Sequence, residues 1–211
     1  MVSVASTTRK TARKAKGDGH LRRAEILAAA ERIFVAEGYE GATIRRIADE
    51  VGVSSTALYM HFADKACILH EIVEASLDQL LASNTEIAGK PLDPVVRTRM
   101  MLDAYMHWGL AHPNAYHLVY CAPSQSSADP RPERTSELSR LCYEAFSGVV
   151  REIAASGRLR TGSGDSAAQA LWVACHGVVA LLISRPNFEW CGREELMQVT
   201  LDGLLNGLVI D

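Results

Sequence analysis

The chain has 211 residues, of which 48% are apolar and 22% are charged, and its net charge is −3. This composition is ordinary for a folded globular protein. Its longest nearly apolar run, residues 171–183, falls short of the roughly 20 residues that a membrane span needs, so we expect no transmembrane segment. The five cysteines are odd in number and form no CxxC pair, which predicts reduced thiols in a cytoplasmic protein.

Positive charge is concentrated at the start of the chain. Residues 1–23 carry seven basic side chains against one acidic, whereas residues 66–211 carry 11 basic and 17 acidic side chains. A basic front and an acidic rear indicate that a polyanion binds the front only. Residues 1–20 lack apolar periodicity and are predicted to form a flexible basic arm; a solvated tail without a partner is the alternative.

Apolar residues recur at helical spacing from residue 21 to the end of the chain. The predicted helices cover residues 21–38, 44–50, 55–60, 65–87, 94–111, 113–120, 133–156, 165–184 and 193–209. Residues 122–132 are rich in Pro and Ser and are predicted to be a mobile loop. No segment alternates with the period of two that is typical of strands, so the predicted fold class is all-α.

Residues 43–62 place two short helices on either side of a turn at Gly52. Thr43 and Ser54 stand where their hydroxyls can cap the helices, and Gly52 suits a left-handed turn. Ala48 is small enough to let the two helices cross closely. This arrangement is typical of a helix-turn-helix, whose second helix enters the major groove of DNA. An ordinary helical hairpin is the alternative that the spacing alone leaves open.

The residues around this turn resemble the TetR family of transcriptional regulators. The resemblance covers residues 21–70 and is carried by Phe34, Gly38, Thr43, Ile44, Ile47, Ala48, Gly52, Val53, Ser54, Leu58, Tyr59, His61, Phe62, Lys65 and Leu69. It implies a three-helix DNA-binding domain at 21–66 and a helical ligand-binding and dimerisation domain at 67–211. Thr56 and Ala57 differ from the residues common in the family, which bears on base preference and not on the fold.

The same resemblance assigns a DNA-binding set. It comprises Thr43, Arg45, Ser54, Ser55, Thr56, Tyr59, His61 and Lys65. Thr43, Tyr59 and Lys65 match positions that contact phosphates, and the residue types suit that role because they offer hydroxyls and an ammonium. Arg45, Ser55 and Thr56 match positions near base edges. His61 either meets a phosphate or has a structural role beside Phe62.

Aromatic and polar side chains also recur at helical spacing in the C-terminal two-thirds of the chain. Trp172 and His176 are four residues apart and share one helix face, and the Trp-x3-His-Gly pattern resembles a variant of the family's C-terminal domain. The predicted ligand-binding residues are Met101, Tyr105, Trp108, His112, His117, Tyr120, Cys121, Trp172 and His176. A mostly apolar ligand pocket is the functional interpretation, and simple core packing is the alternative. His117 and Cys121 lack further ligands at fixed spacing, so no metal site is predicted.

The last two helices are predicted to form the dimer surface. They contain more apolar side chains than one small domain should need, at Leu171, Val178, Leu181, Leu182, Leu196, Val199, Leu201, Leu204, Leu205 and Leu208. The resemblance implies that these helices pair in a four-helix bundle with a second copy of the chain.

These observations predict a cytoplasmic, homodimeric regulator that binds double-stranded DNA. The predicted mechanism is a repressor released from a pseudo-palindromic operator by a small, largely apolar effector. No cofactor is predicted, and the chain has no GxGxxG loop or nucleophile–base motif that would favour an enzyme. A non-specific nucleic-acid binder that uses the basic arm is the alternative. The effector, the operator and the choice between repressor and activator stay open.

Overall fold

The computed structural model describes residues 19–121, 133–160 and 162–210, and over these residues it consists of helices and their connections. The helices are α1 (Gly19–Gly41), α2 (Ile44–Val51), α3 (Ser55–Tyr59), α4 (Lys65–Ala88), α5 (Pro94–Ala111), α6 (Pro113–Tyr116), α7 (Glu133–Ala155), α8 (Gly164–Ser184) and α9 (Arg193–Leu208). A π-helical turn, His117–Cys121, continues α6. The predicted loop at 122–132 and residues 1–18 of the predicted arm lie outside the described residues.

Helices α1 to α3 pack with the first half of α4 around a small apolar core. Ile26, Phe34, Ile47, Leu58 and Phe62 are all buried there. The helical stop predicted at residue 38 is confirmed, because the backbone leaves helical geometry there with a φ of 74° before a last turn completes α1. The final two residues of the predicted arm, 19 and 20, belong instead to the first turn of α1.

The predicted helix caps are also confirmed. The Thr43 hydroxyl oxygen accepts from the Arg46 amide at 3.1 Å, and the Ser54 hydroxyl oxygen accepts from the Ala57 amide at 3.1 Å. These bonds satisfy amides at the helix starts that have no partner within the helix. Gly52, between the two helices, has a φ of 72° in the left-handed region, which a side chain would disfavour. The helix-turn-helix geometry is therefore set by local sequence.

The C-terminal part packs α4, α5, α7 and α8 around an apolar core that is continuous with the first, and α9 covers α5 and α8. Helix α4 contributes side chains to both regions of this core. The turn between α4 and α5 is held by the largely buried Arg97, which donates to the carbonyl oxygens of Ala88 at 2.7 Å and Leu92 at 3.0 Å and pairs with Glu152 at 2.5 Å. The connection between the two parts of the chain is thus a continuous helix followed by a tied turn.

Helix α8 is the one described helix that is long and apolar enough to cross a membrane by length and composition. It packs against α5, α7 and α9, and it buries Ala168, Leu171, Cys175 and Val179 in the protein core. Packing in the core therefore accounts for part of its apolar character, while Trp172, Val173 and Leu181 stay exposed.

The structure divides the apolar residues that were predicted to form the dimer surface. Leu171, Leu182, Leu201 and Leu205 are buried within the chain itself, so they belong to its own core. Two others, Leu181 and Val199, are exposed by 49% and 62%. The apolar surface left for a partner is therefore smaller than the sequence pattern suggested, because α8 and α9 first bury one face against α5 and α7.

Candidate nucleic-acid interface and ligand cavity

The predicted DNA-binding residues lie from the start of α2 to the start of α4, and most are exposed. Thr43, Arg45, Ser54, Thr56 and Tyr59 are exposed, whereas Ser55, His61 and Lys65 are partly buried. The capping hydroxyls of Thr43 and Ser54 accept from backbone amides and keep their own hydrogens free to donate. Hydroxyl donors beside helix N-termini suit phosphate oxygens.

The two adjacent arginines of α2 have different surroundings. Arg46 pairs with Glu37 at 3.1 Å and with Glu50 at 3.0 Å, and its pKa is raised chiefly by its hydrogen bond to Glu50. The Arg45 side chain is 87% exposed, and its nearest acidic partner is Asp49 at 3.9 Å. Arg45 is therefore the arginine of this pair that is available to an external ligand.

Lys65 is engaged within the protein. Its ammonium donates to the carbonyl oxygens of Tyr39 at 2.8 Å and Ala42 at 3.3 Å, and it lies 4.3 Å from the centre of the Tyr39 ring. These contacts join the end of α1 to the start of α4. They give this residue a structural role that the sequence did not indicate.

Part of the basic charge at the front of the chain is also used internally. Arg23 forms a bidentate pair with Glu71, donates to the His61 carbonyl oxygen at 2.7 Å and lies over the Phe62 ring. Arg22 pairs with Glu25 at 2.9 Å. The charge asymmetry of residues 1–23 therefore overstates the number of cations that are free to meet a polyanion.

A cavity of about 510 Å³ lies in the C-terminal part, within the range of small-molecule sites. Its wall comprises Leu77, Leu80, Asn84, Met101, Leu102, Tyr105, Val119, Tyr120, Ser139, Cys142, Tyr143, Phe146, Gln169, Trp172 and Val173. The structure thus brings four predicted ligand-binding residues, Met101, Tyr105, Tyr120 and Trp172, to one cavity.

His176, which was predicted to line a pocket, is not among the lining residues and sits beside the wall in a polar network. Its Nδ1 lies 3.0 Å from the Tyr105 hydroxyl and 2.7 Å from the Tyr116 hydroxyl. The Tyr116 hydroxyl also lies 3.1 Å from the His176 carbonyl oxygen, to which it can donate. Burial lowers the pKa of His176, which favours the neutral imidazole. His176 thus orients two tyrosines.

Three other predicted ligand-binding residues lie away from the cavity wall. Trp108 and His112 contact each other, with ring centres 6.0 Å apart, and neither lines the cavity. His117 is exposed. Residues 117–121 form a π-helical turn, and the Cys121 side chain lies outside the described residues. No group of three metal-ligating side chains occurs in the part of the chain that the structure describes.

Most residues of the wall were not predicted from the sequence. Leu77, Leu80 and Asn84 come from α4, and α7 supplies Ser139, Cys142, Tyr143 and Phe146. The sequence did contain a signal for these wall residues. Asn84 interrupts an apolar helical face, and Cys142 and Phe146, four residues apart, share the face of another helix. Burial raises the pKa of the Cys142 thiol to about 11, and it also raises those of the Tyr105 and Tyr120 hydroxyls. These cavity groups are therefore neutral at physiological pH.

Comparison with known proteins gives consistent matches for both parts of the chain. Residues 26–72 match the family described as "Bacterial regulatory proteins, tetR family", and residues 98–204 match "Tetracyclin repressor-like, C-terminal domain". The HTH-type transcriptional repressor KstR2 of Mycobacterium tuberculosis is 30% identical over 141 residues, which are 64% of this chain and 70% of KstR2. The HTH-type transcriptional activator FasR of Mycolicibacterium smegmatis is 26% identical over 188 residues, 89% of this chain and 80% of FasR.

Solved structures share the fold across nearly the whole chain. The structure of the ketosteroid transcriptional regulator KstR2 of M. tuberculosis superposes with a TM-score of 0.76 at 23% identity, covering 90% of this chain and 96% of that one. The MbdR regulator from Azoarcus sp. CIB gives a TM-score of 0.76 at 22% identity, covering 90% and 100%. At this level of identity the likeness concerns the fold alone.

Proposed function

Because the chain belongs to the TetR family of transcription regulators, we propose that it is a cytoplasmic repressor that a small, largely apolar ligand releases from a pseudo-palindromic operator. Members of this family bind DNA and usually act as homodimers with small-molecule effectors, and they are not enzymes. The choice of repressor follows the printed function of KstR2, the relative that shares 30% identity. No cofactor or metal has a part in this proposal.

One observation supports the coupling of ligand and DNA. Helix α4 carries Ile68 and Ile72 into the core of the DNA-binding domain, and the same helix places Leu80 and Asn84 on the cavity wall. A ligand that fits the cavity better in one position of α4 than in another shifts the population toward that position. Since α4 is continuous, its displacement reaches the helix-turn-helix.

A homodimer supplies the second half-site reader. The recognition helix α3 has five residues, so one copy offers few base contacts. Two copies related by a twofold axis read two half-sites, which accounts for a pseudo-palindromic operator. The exposed Leu181 and Val199 lie on the two helices that pair in the proposed four-helix bundle.

The DNA-binding part of the proposal is tested with a duplex selected from a random-sequence pool. The parent should prefer the selected duplex over a shuffled one by about a thousandfold at physiological salt. The variant Arg45→Ala/Tyr59→Phe should lose at least about tenfold in affinity, because both changed side chains are exposed beside the recognition helix. Arg140→Ala is the matched control, since Arg140 is an exposed arginine on α7 that pairs with Glu144. Equal binding by the parent to both duplexes would contradict a sequence-specific regulator.

A further inference from the structure

Tyr143 carries a buried hydroxyl without a hydrogen-bond partner. Among the described residues, three buried side-chain polar atoms lack a partner: Thr98 Oγ1, Trp108 Nε1 and Tyr143 Oη. Of these three side chains, that of Tyr143 lines the C-terminal cavity. A buried hydroxyl that has given up water without finding another partner is costly, so each such group calls for an explanation. A bound ligand that accepts from Tyr143 would provide one.

Three other polar side chains of the wall already have partners within the protein. The Asn84 amide donates to the Cys142 carbonyl oxygen at 3.2 Å, and the Ser139 hydroxyl donates to the Thr135 carbonyl oxygen at 2.9 Å. The Tyr105 hydroxyl lies in hydrogen-bonding contact with His176. The Gln169 amide and the Tyr120 hydroxyl also lack an internal hydrogen-bond partner among the described residues, but Gln169 is exposed and Tyr120 is only partly buried. Tyr143 is therefore distinguished among the described wall residues by a hydroxyl that is both buried and unpartnered, and a phenol donates readily.

None of the described residues that line the cavity is charged. The charged residues that follow Ser139 on α7, Arg140 and Glu144, are exposed and pair with each other at 2.7 Å. An anionic or cationic ligand entering this cavity would therefore lose its hydration without meeting an opposite charge, which strongly disfavours it. The wall selects against charge.

Aromatic rings make up much of the remaining wall. The Trp172 ring centre lies 5.9 Å from that of Tyr143 and 6.4 Å from that of Tyr120, and Tyr105 and Phe146 add further rings. Rings at these separations offer flat faces and edges that pack well against another ring. The shape and chemistry of the wall favour a ring-bearing ligand over a flexible chain.

We propose that the C-terminal cavity binds an uncharged, ring-bearing molecule with a hydrogen-bond acceptor, such as a ketone, and that this acceptor takes the hydrogen of the Tyr143 hydroxyl. The inference rests on the proposed function in that it defines the chemical class of the effector. Because this hydroxyl is buried in the free protein, the proposed hydrogen bond requires the Tyr143 ring to turn toward the cavity.

Three probes on one carbon framework test this class: diphenylmethane, benzophenone and diphenylacetate. Their affinities are measured on the full chain without DNA, from the quenching of tryptophan fluorescence, since Trp172 lines the cavity. We expect benzophenone to bind about fivefold or more tightly than diphenylmethane, which lacks the acceptor, and diphenylacetate to bind most weakly. Diphenylacetate binding as tightly as benzophenone, or no binding by any of the three, would overturn the proposal.

The variant Tyr143→Phe keeps the ring and removes the hydroxyl. It should abolish the preference for benzophenone over diphenylmethane while leaving the melting temperature of the free protein unchanged or raised, because the lost hydroxyl had no partner. Ser139→Ala is the matched control, since it removes a lining hydroxyl that already donates to Thr135, and it should keep the preference. A Tyr143→Phe protein that keeps the preference would contradict the assignment.

Photolabelling locates the probe independently. Irradiated benzophenone inserts into nearby C–H bonds, so the modified peptides of the parent should contain residues of the cavity wall, from 77–84, 101–105, 119–120, 139–146 or 169–173. Labelling confined to other peptides would refute this site. A DNA titration tests the release mechanism separately from the ligand class. If benzophenone bound in the cavity without releasing DNA, the ligand class would be supported and the release mechanism contradicted.

Discussion

The ammonium of Lys65 lies 2.8 Å from the carbonyl oxygen of Tyr39 and 4.3 Å from the centre of the same residue's ring. One side chain therefore closes the end of α1 against the start of α4 through a charged hydrogen bond and a cation–π contact. The sequence resemblance gave Lys65 a phosphate-contacting role alone. In the structure, any contact with DNA must be made by a side chain that already holds two elements of the domain together.

Replacement of Lys65 by Met should therefore lower the stability of the free protein as well as its affinity for DNA. The expected loss is about 1–3 kcal/mol in the free energy of unfolding, measured by urea denaturation, because two backbone carbonyls lose a charged donor. Lys90→Met is the control: Lys90 makes an exposed pair with Glu86 near the other end of α4, and its loss should cost at most about 0.5 kcal/mol. If the two changes lowered the free energy of unfolding equally, the proposed structural role of Lys65 would be contradicted.

The partly buried imidazole of His176 predicts a pH dependence of stability. Burial lowers its pKa below the ordinary value of 6.5, so the unfolded chain takes up the proton more readily than the folded chain. The stabilising contribution is complete above that ordinary value and is lost as the pH falls toward the folded pKa. The stability advantage of the parent over His176→Gln should thus shrink between about pH 7 and pH 5.

The comparison with His176→Gln is needed because another histidine acts in the opposite direction. Hydrogen bonding to the Asp103 backbone raises the pKa of His107, so its contribution is complete at low pH and is lost as the pH rises through the folded pKa. His117→Gln, at an exposed histidine outside the tyrosine network, serves as the control. A parent-minus-variant difference that stays flat with pH for His176→Gln would show that His176 is not held neutral by burial.

Gly109 marks a close approach of α5 to its neighbours. A Cβ at this position would lie 2.7 Å from Val179 Cγ1 and 2.9 Å from Tyr116 Cδ2, nearer than real contacts allow. Gly109→Ala should therefore lower the free energy of unfolding by about 1–3 kcal/mol through overpacking. Gly148→Ala, within α7 and with no neighbour inside 4 Å, should instead stabilise by about 0.5–1 kcal/mol. The melting temperatures of the two variants test this prediction. A shift of the same sign in both would contradict it.

The exposed side chains of Leu181 and Val199 predict where the contact of the proposed dimer lies. Leu181→Glu/Val199→Glu should convert the dimer into monomer in analytical ultracentrifugation, because two buried charges without partners oppose association. The same variant should lose most of its affinity for a two-half-site duplex. Val96→Glu, at an exposed valine of α5, should leave the mass unchanged. If the double variant remained a dimer, the interface would have to lie elsewhere than at these two residues.

The features that the sequence predicted best depend on neighbours in the chain. Thr43 and Ser54 cap their helices through bonds to amides three residues further on, and Gly52 turns because its own backbone permits it. The helix boundaries agree closely for the same reason. These interactions require no knowledge of which helix packs against which, so propensity and spacing are sufficient.

The cavity was predicted only in part because its wall draws on separate helices. Tyr105 and Trp172 were selected for their residue type, and Asn84 and Tyr143, far away in sequence, complete the same wall. Trp108 has an equally aromatic side chain but lies in contact with His112 and Tyr116. Residue type identifies candidates for a pocket, but which candidates face the same space depends on the packing of α4, α5, α7 and α8.

The length of α4 has a mechanical consequence. Uninterrupted helix separates Asn84, on the cavity wall, from Lys65, in the first turn of α4. These 19 residues form a rod of roughly 28 Å at 1.5 Å per residue. If the rod pivots near Asn84, a tilt of about 10° carries its far end through roughly 5 Å. In a dimer the two rods move symmetrically and the displacement between recognition helices doubles, to about a quarter of the 34–36 Å that separates half-sites one helical turn apart. The same tilt would move Leu80 and Leu77 on the cavity wall by only about 1–2 Å, so leverage would enlarge a small adjustment around a ligand into a mismatch with half-sites at fixed spacing.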